Sequence, residues 1–116
     1  MKIVYTSRTG NVKSVIEKLG ITDAIEIGKD TDTVLEDYIL FTYTDGYGDV
    51  PVQVEEFLNN NSKYLKGVIV SGNSGYGEAF CGAGNVISEQ YNVPFLYKFE
   101  EDGTEEDIKK IKEILA

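Results

Sequence analysis

The chain has 116 residues, 41% of them hydrophobic, which suits a single domain over residues 1–116 with one buried core. Lys and Arg number 11 against 20 Asp and Glu, a net charge of −9, and histidine is absent. This balance disfavours nucleic acid as a ligand and leaves acid–base chemistry near neutral pH to a cofactor, water or a perturbed carboxylate.

Three features of the sequence predict a cytoplasmic protein. Met1-Lys2 leads directly into a strand pattern, without the apolar segment of a signal peptide. No apolar run approaches the roughly 20 residues of a membrane span, so no membrane association is expected. The single cysteine, Cys81, cannot form an internal disulfide.

Strand and helix patterns alternate along the chain. Helical spacing of apolar residues begins at Val12, and a β-branched and aromatic run with Leu40 indicates a strand buried on both faces. Thr104 and Asp107 resemble a capping box at the start of the last helix. The predicted elements are strand 2–6, helix 11–19, strand 23–27, strand 38–43, helix 52–61, strand 67–71, helix 78–91, strand 94–99 and helix 104–115.

This alternation predicts an α/β protein, with a parallel sheet between layers of helices. One connection is abnormal, because residues 28–37 leave only about ten residues between the second and third strands, and a parallel crossover usually needs a dozen or more. We expect an irregular segment or a single helical turn there.

The most informative segment follows the first strand and reads Tyr5-Thr6-Ser7-Arg8-Thr9-Gly10-Asn11-Val12. A loop of this kind at the start of a helix presents backbone N–H groups, hydroxyls and the positive end of the helix dipole. It lies at the carboxyl end of a strand, where open parallel sheets bind ligands. It predicts a phosphate-monoester site, although ordinary helix N-capping would use the same residue types.

Two further loops would emerge at the same edge of a parallel sheet. Residues 42–51 and 71–82 both interleave aromatic residues with glycines. Glycine lets the backbone approach a planar ligand, and aromatic rings supply stacking surfaces, although turn chemistry and surface tyrosines are the alternative. Together the three loops suit a ligand with a phosphate tail and an aromatic head, which is the shape of flavin mononucleotide (FMN).

Other notable residues are interpreted structurally. Cys81 is predicted to be a small buried apolar residue at the start of a helix. The acidic residues Asp30, Asp32, Glu36 and Asp37 suit a solvated face better than a metal site, and no metal site is predicted. A second acidic run is interpreted mainly as charge at a helix N-terminus: Glu100, Glu101, Asp102, Glu105 and Glu106.

The chain resembles the flavodoxin-like fold over its whole length. Its first loop is similar to the flavodoxin phosphate loop, Ser/Thr-x-Thr-Gly-Asn-Thr, with Val12 in place of the final threonine. It differs from ordinary flavodoxins in its shortness, its clipped second crossover and its lack of tryptophan. With these departures, the chain resembles the NrdI family at Ser7-x-Thr9-Gly10-Asn11, Gly46-Tyr47-Gly48-Asp49-Val50-Pro51 and Ser71-Gly72-Asn73…Gly77…Phe80-Cys81.

The resemblance implies a three-layer sandwich with a five-stranded parallel sheet of order 2-1-3-4-5 and a shortened crossover between the second and third strands. It also implies which residues bind FMN. The phosphate would be held by Ser7, Arg8, Thr9, Gly10 and Asn11, with Val12 closing the motif. One side of the isoalloxazine would face Thr44, Gly46 and Tyr47, within a loop that also contributes Tyr43, Asp45 and Gly48, and the other side would face Asn73, Tyr76, Gly77 and Cys81. Arg8 would act through its N–H if its side chain points to solvent.

The resemblance further implies a function and partners. Reduced flavin in NrdI proteins reacts with dioxygen, and the resulting superoxide or peroxide passes to the dimanganese small subunit of class Ib ribonucleotide reductase for tyrosyl radical assembly. A flavin reductase or another donor would supply the electrons.

The residues themselves leave two alternative functions open. The first is a plain flavodoxin, a one-electron carrier between a reductase and an acceptor. The second is a flavin-free signalling module such as a receiver domain. The sequence argues against the receiver, because Ser7 and Arg8 replace its acidic pair after the first strand and Glu100 and Glu101 follow the last strand, where it has a lysine.

Overall fold

The computed structural model describes residues 1–29 and 33–116. Within these ranges the chain forms a sheet flanked by helices, with two short 3₁₀ segments, Ser62–Tyr64 and Ser74–Ala79. The strands are β1 (Lys2–Tyr5), β2 (Ile25–Glu26), β3 (Tyr38–Tyr43), β4 (Leu65–Gly72) and β5 (Phe95–Glu100). The helices are α1 (Asn11–Lys18), α2 (Val52–Asn61), α3 (Gly82–Tyr91) and α4 (Glu105–Leu115).

The five strands form one parallel sheet in the order β2-β1-β3-β4-β5. The register pairs Val4 of β1 with Leu40 of β3, and Leu40 with Val68 of β4, so apolar residues stand side by side across the centre. The predicted α/β class and strand order are confirmed.

Successive residues of a strand point to opposite faces of the sheet, and this alternation divides the core in two. Val4, Leu40 and Val68 pack on one face with residues of α2 and α3, such as Phe57 and Ile87. The opposite face packs against α1 and α4, through a second cluster that includes Ile3, Phe41, Ile69, Val15 and Ile111. The result is the expected three-layer arrangement.

The last helix begins at the predicted capping box. The Asp107 N–H donates to Thr104 Oγ1 (3.1 Å), and the Thr104 N–H donates to Asp107 Oδ2 (2.8 Å). The Tyr97 hydroxyl on β5 donates to the other carboxylate oxygen of Asp107 (2.6 Å), which ties α4 to the sheet. The start of α4 therefore depends on local capping and on one hydrogen bond from β5.

Three predicted elements have bounds that differ from the structure by two residues or more at one end at least. Strand β2 covers only two residues, because it lies at the edge of the sheet and pairs only with β1. Strand β4 is longer than predicted and ends at Gly72. Helix α3 begins at Gly82 and not at residue 78, because Gly77 has non-helical backbone angles (φ 58°, ψ −120°) that interrupt the preceding turn.

The connection between β2 and β3 is anchored by Asn61. Its side-chain oxygen accepts from the Val34 N–H (2.9 Å), and its side-chain amide donates to the Phe57 carbonyl (3.0 Å). Residues 33–37 contain no helix or strand, in agreement with the predicted short crossover. Residues 30–32 lie outside the described residues, and with them the predicted solvated face at Asp30 and Asp32.

Candidate functional site

A cavity of about 220 Å³ lies at the carboxyl edge of the sheet, where the loops after β1, β3, β4 and β5 meet. Many residues that the sequence predicts to bind a cofactor line it: Arg8, Thr9, Asn11, Tyr43, Thr44, Gly46, Asn73, Tyr76 and Cys81. Ser71, Gly72, Ala79 and Glu101 complete the wall, and they are absent from the predicted set. The topology therefore brings the three predicted loops together.

The loop after β1 exposes the amino end of α1. Gly10 caps the helix in a left-handed conformation (φ 92°), without a side-chain capping bond. Ser7 Oγ accepts from the Lys13 N–H (3.3 Å), so part of the N-capping alternative holds. Within the described part of the chain, the N–H groups of residues 9–12 bond to no acceptor. These open donors at a helix N-terminus suit an anionic group.

Val12 contributes to this loop in a different way from its neighbours. Its side chain is 1% exposed and packs in the core beneath α1, while Thr9 and Asn11 line the cavity. Only the backbone N–H of Val12 faces the open end of the helix. The valine side chain therefore packs in the core, and no hydroxyl takes the place of that of the final threonine in the flavodoxin motif.

The Arg8 side chain reaches across to the second loop while staying 56% exposed to solvent. Its Nη1 lies 2.8 Å from Asp45 Oδ1, and its guanidinium carbon lies 4.8 Å from the centre of the Tyr43 ring. The hydrogen bond from Arg8, with that from the Gly46 N–H, holds the pKa of Asp45 below its ordinary value. Arg8 thus links the first loop to the second.

The second loop is a tight turn with reciprocal backbone bonds. The Asp45 N–H donates to the Asp49 carbonyl, and the Asp49 N–H donates to the Asp45 carbonyl, both at 2.8 Å. Gly46 (φ 46°) and Gly48 (φ 92°) supply the positive angles that this turn requires. The Thr44 hydroxyl donates to the Ser71 carbonyl (3.1 Å), which fixes the base of the turn against β4.

Two exposed tyrosines join the outer ends of the second and third loops. The rings of Tyr47 and Tyr76 meet edge to face, with centroids 5.5 Å apart. Tyr76 lines the cavity, whereas Tyr47 is outside its lining and is 74% exposed. Gly48 and Gly77 also lie outside the lining. The rim is consequently aromatic and open to solvent.

Cys81 forms part of the cavity floor. It precedes α3, is fully buried as predicted, and has a left-handed backbone (φ 56°). Its Sγ lies 3.5 Å from the Val70 carbonyl oxygen and 3.6 Å from that of Phe99. Burial raises the pKa of the thiol to about 12, so the thiol is protonated at neutral pH and behaves as a packing group.

The end of β5 and the loop after it show that the acidic run was interpreted wrongly in part. Glu105 and Glu106 do lie in the first turn of α4, but Glu100 and Glu101 precede the helix and bond to the other loops. Glu100 accepts from the Ser74 N–H (2.9 Å), and Glu101 accepts from the side chains of Asn11 and Asn73. No local pattern marks these roles, because each partner is distant in the sequence.

The donor set of the cavity fits FMN. The open N–H groups of residues 9–12 and the Thr9 hydroxyl are neutral donors of the kind that bind a phosphate monoester. Tyr43, Tyr76 and Gly46 supply aromatic and unobstructed backbone surfaces beside them. No cluster of His, Cys, Asp or Glu suited to a metal ion, and no helix able to cross a bilayer, occurs among the described residues.

Comparison with solved structures shows the same fold in flavodoxins. Oxidised flavodoxin 2 from Bacillus cereus matches with a TM-score of 0.67 and 24% identity, over 98% of this chain and 94% of that one. Oxidised flavodoxin 1 from Bacillus cereus matches with a TM-score of 0.66 and 20% identity, over 97% and 91%.

A sequence-family model identifies the family to which the chain belongs within this fold. The model described as "NrdI Flavodoxin like" matches residues 3–113, which is nearly the whole chain. The match spans all four loops of the cavity. The chain therefore belongs to the NrdI flavodoxin-like family, whose members bind FMN.

Proposed function

We propose that this chain, acting in the cytoplasm as a single domain over residues 1–116, binds FMN in the cavity and activates a class Ib ribonucleotide reductase. When bound and reduced, the flavin supplies electrons to dioxygen, and the superoxide or peroxide so formed serves tyrosyl radical assembly at the dimanganese small subunit. A flavin reductase or another donor reduces the protein. The observation that carries the proposal is the cavity of converging loops in a chain of this family.

Different residues of the cavity bind the phosphate and the ring system of FMN. The N–H groups of residues 9–12 and the hydroxyls of Ser7 and Thr9 bind the phosphate, and the helix dipole of α1 adds to their attraction. The second and third loops, which line the cavity with Gly46 and Tyr76, would hold the ring system. A protonated, buried Cys81 leaves redox chemistry to the cofactor.

The small subunit docks at the tyrosine rim. Tyr47 and Tyr76 are 74% and 45% exposed, and they stand where the cavity opens. Exposed aromatic residues beside glycine-rich backbone favour a close protein interface. Docking here would bring the partner to the mouth of the cavity, and an oxidant made by a bound flavin would then have a short path to it.

The decisive experiment measures tyrosyl radical. The visible absorption spectrum of the purified protein first establishes bound flavin. Reduced protein is then mixed with dioxygen and the manganese-loaded small subunit, and the radical is quantified by electron paramagnetic resonance. We expect a yield well above that with an unrelated reduced flavodoxin. An equal yield would favour the alternative function, a one-electron carrier.

The position of the interface is tested separately. Tyr47→Ser with Tyr76→Ser should weaken the complex with the small subunit by more than tenfold. Leu35→Ser serves as the control, because Leu35 is 77% exposed but precedes β3, at the opposite edge of the sheet. Unchanged affinity of the tyrosine double variant would place the interface elsewhere.

A further inference from the structure

One carboxylate of the cavity wall joins two of the loops. Glu101 Oε2 accepts from Asn11 Nδ2 (3.0 Å), and its Oε1 accepts from Asn73 Nδ2 (2.9 Å). Asn11 is the first residue of α1, and Asn73 follows β4 directly. A single side chain therefore bridges the phosphate-binding end of α1 and the third loop.

The backbone of Glu101 is held as firmly as its side chain. Its N–H donates to the Gly72 carbonyl (3.0 Å), and its carbonyl accepts from Ser71 Oγ (2.6 Å). Glu101 also has a left-handed backbone (φ 53°), which is uncommon outside glycine and asparagine. The bonds to the end of β4 maintain this conformation and direct the carboxylate into the cavity wall.

The third loop depends on the same bridge. While Asn73 Nδ2 donates to Glu101, Asn73 Oδ1 accepts from the Gly75 N–H (2.7 Å). The amide of Asn73 is therefore oriented at both ends, and the turn that leads to Tyr76 follows from it.

We propose that Glu101 is a positioning residue for the cofactor site. Through Asn11 and Asn73 it holds the third loop against the amino end of α1 before the ligand binds, so that less ordering is needed on binding. This role rests on the proposed binding of FMN. It concerns the joining of the loops and not a contact between Glu101 and the flavin.

The negative charge of Glu101 would have the opposite effect on FMN affinity from that of the bridge. A carboxylate beside a phosphate site repels a phosphate, so its removal should strengthen FMN binding and leave riboflavin binding unchanged. Loss of the bridge should instead weaken both ligands, because the third loop then has to be ordered whether or not the ligand carries phosphate. The direction of the change in affinity, compared between FMN and riboflavin, therefore distinguishes the two effects.

The experiment compares Glu101→Ala with Asp102→Asn in titrations with FMN and riboflavin. Asp102 is the matched control, because its carboxylate lies in the same loop but pairs with Lys18 (3.4 Å) outside the cavity. We expect Glu101→Ala to raise the Kd for riboflavin about tenfold, or ~1.4 kcal/mol, and the Kd for FMN by a smaller factor, because the lost repulsion of the phosphate partly offsets the lost bridge. Asp102→Asn should change neither Kd. Tighter FMN binding with unchanged riboflavin binding would overturn the proposal.

Two further measurements show whether Glu101 acts through its partners. In a background of Asn73→Ala, the change Glu101→Ala should cost much less than in the wild type, whereas full additivity would contradict the bridge. In ligand-free protein, Glu101→Ala should lower the ¹⁵N order parameters of residues 73–76. Unchanged order parameters would overturn the positioning role, and this result does not depend on flavin binding. Absence of flavin binding by the wild type would refute the proposed function separately.

Discussion

Thr9→Ala tests whether the first loop binds a phosphate. Thr9 is exposed, lines the cavity and precedes the cap of α1, and its hydroxyl has no hydrogen-bond partner within the described residues. Its removal therefore breaks no contact of the fold. Ser7→Ala is less suitable alone, because Ser7 Oγ accepts from the Lys13 N–H and supports the helix.

The size of the effect follows from the kind of bond that is lost. A hydrogen bond to a charged group contributes about 1.5–3 kcal/mol, and the exposure of Thr9 favours the lower end of that range. A loss of ~1.5 kcal/mol weakens FMN binding about tenfold. Riboflavin has no phosphate, so its affinity should not change.

The assay is a titration that follows quenching of flavin fluorescence, with FMN and with riboflavin as ligands. Thr22→Ala is the matched control, because Thr22 is an exposed threonine between α1 and β2, away from the cavity. Equal losses of FMN and riboflavin affinity in Thr9→Ala would refute the assignment of the loop to phosphate. A tenfold loss of flavin affinity with Thr22→Ala would show that the assay responds to the stability of the protein and not to a contact with the ligand.

The remaining predictions concern the second loop, the thiol and the start of α4. Gly46→Val should shift the reduction potentials of the bound FMN, because Gly46 has a φ of 46° and an added Cβ would lie 3.0 Å from Asp49 Oδ2; unchanged potentials in spectroelectrochemistry would contradict this. Cys81 in folded protein should react with Ellman's reagent only as fast as the protein unfolds, and rapid labelling at pH 8 would disprove its burial. The hydrogen bond to Asp107, with burial, raises the pKa of Tyr97 from 10.0 to about 12, so its stabilising effect is complete below pH 10 and is lost as the pH rises towards 12. Tyr97→Phe should therefore lose less stability than the wild type in urea unfolding between pH 9 and pH 12, and equal losses would argue against a raised pKa.

Parts of the candidate site were predictable because they are contiguous in sequence. The hydroxyl and amide residues around Thr9 begin a helix immediately after a strand, and this local pattern led to the prediction of an anion site, with helix N-capping as the alternative. The direction of the Arg8 side chain was not predictable. It depends on Asp45, 37 residues away, and on the aromatic ring of Tyr43.

The sequence by itself determined the fold class and several elements. A run of aromatic and β-branched residues predicted Tyr38–Tyr43, and Pro51 near the first turn of a helix supported the prediction of Val52–Asn61, both with the bounds that the structure has. The Thr104–Asp107 capping box was equally local.

Only the tertiary structure decided what the loop after β5 does. The sequence places Glu101 in an acidic run before a helix, and that local context indicates helix charge. Its partners Asn11 and Asn73 lie 90 and 28 residues away, and they reach it only when parallel strands bring their carboxyl ends to one edge. Hydrogen bonds between distant loops depend on strand order and register, which are properties of the assembled sheet and leave no periodic signal in the chain.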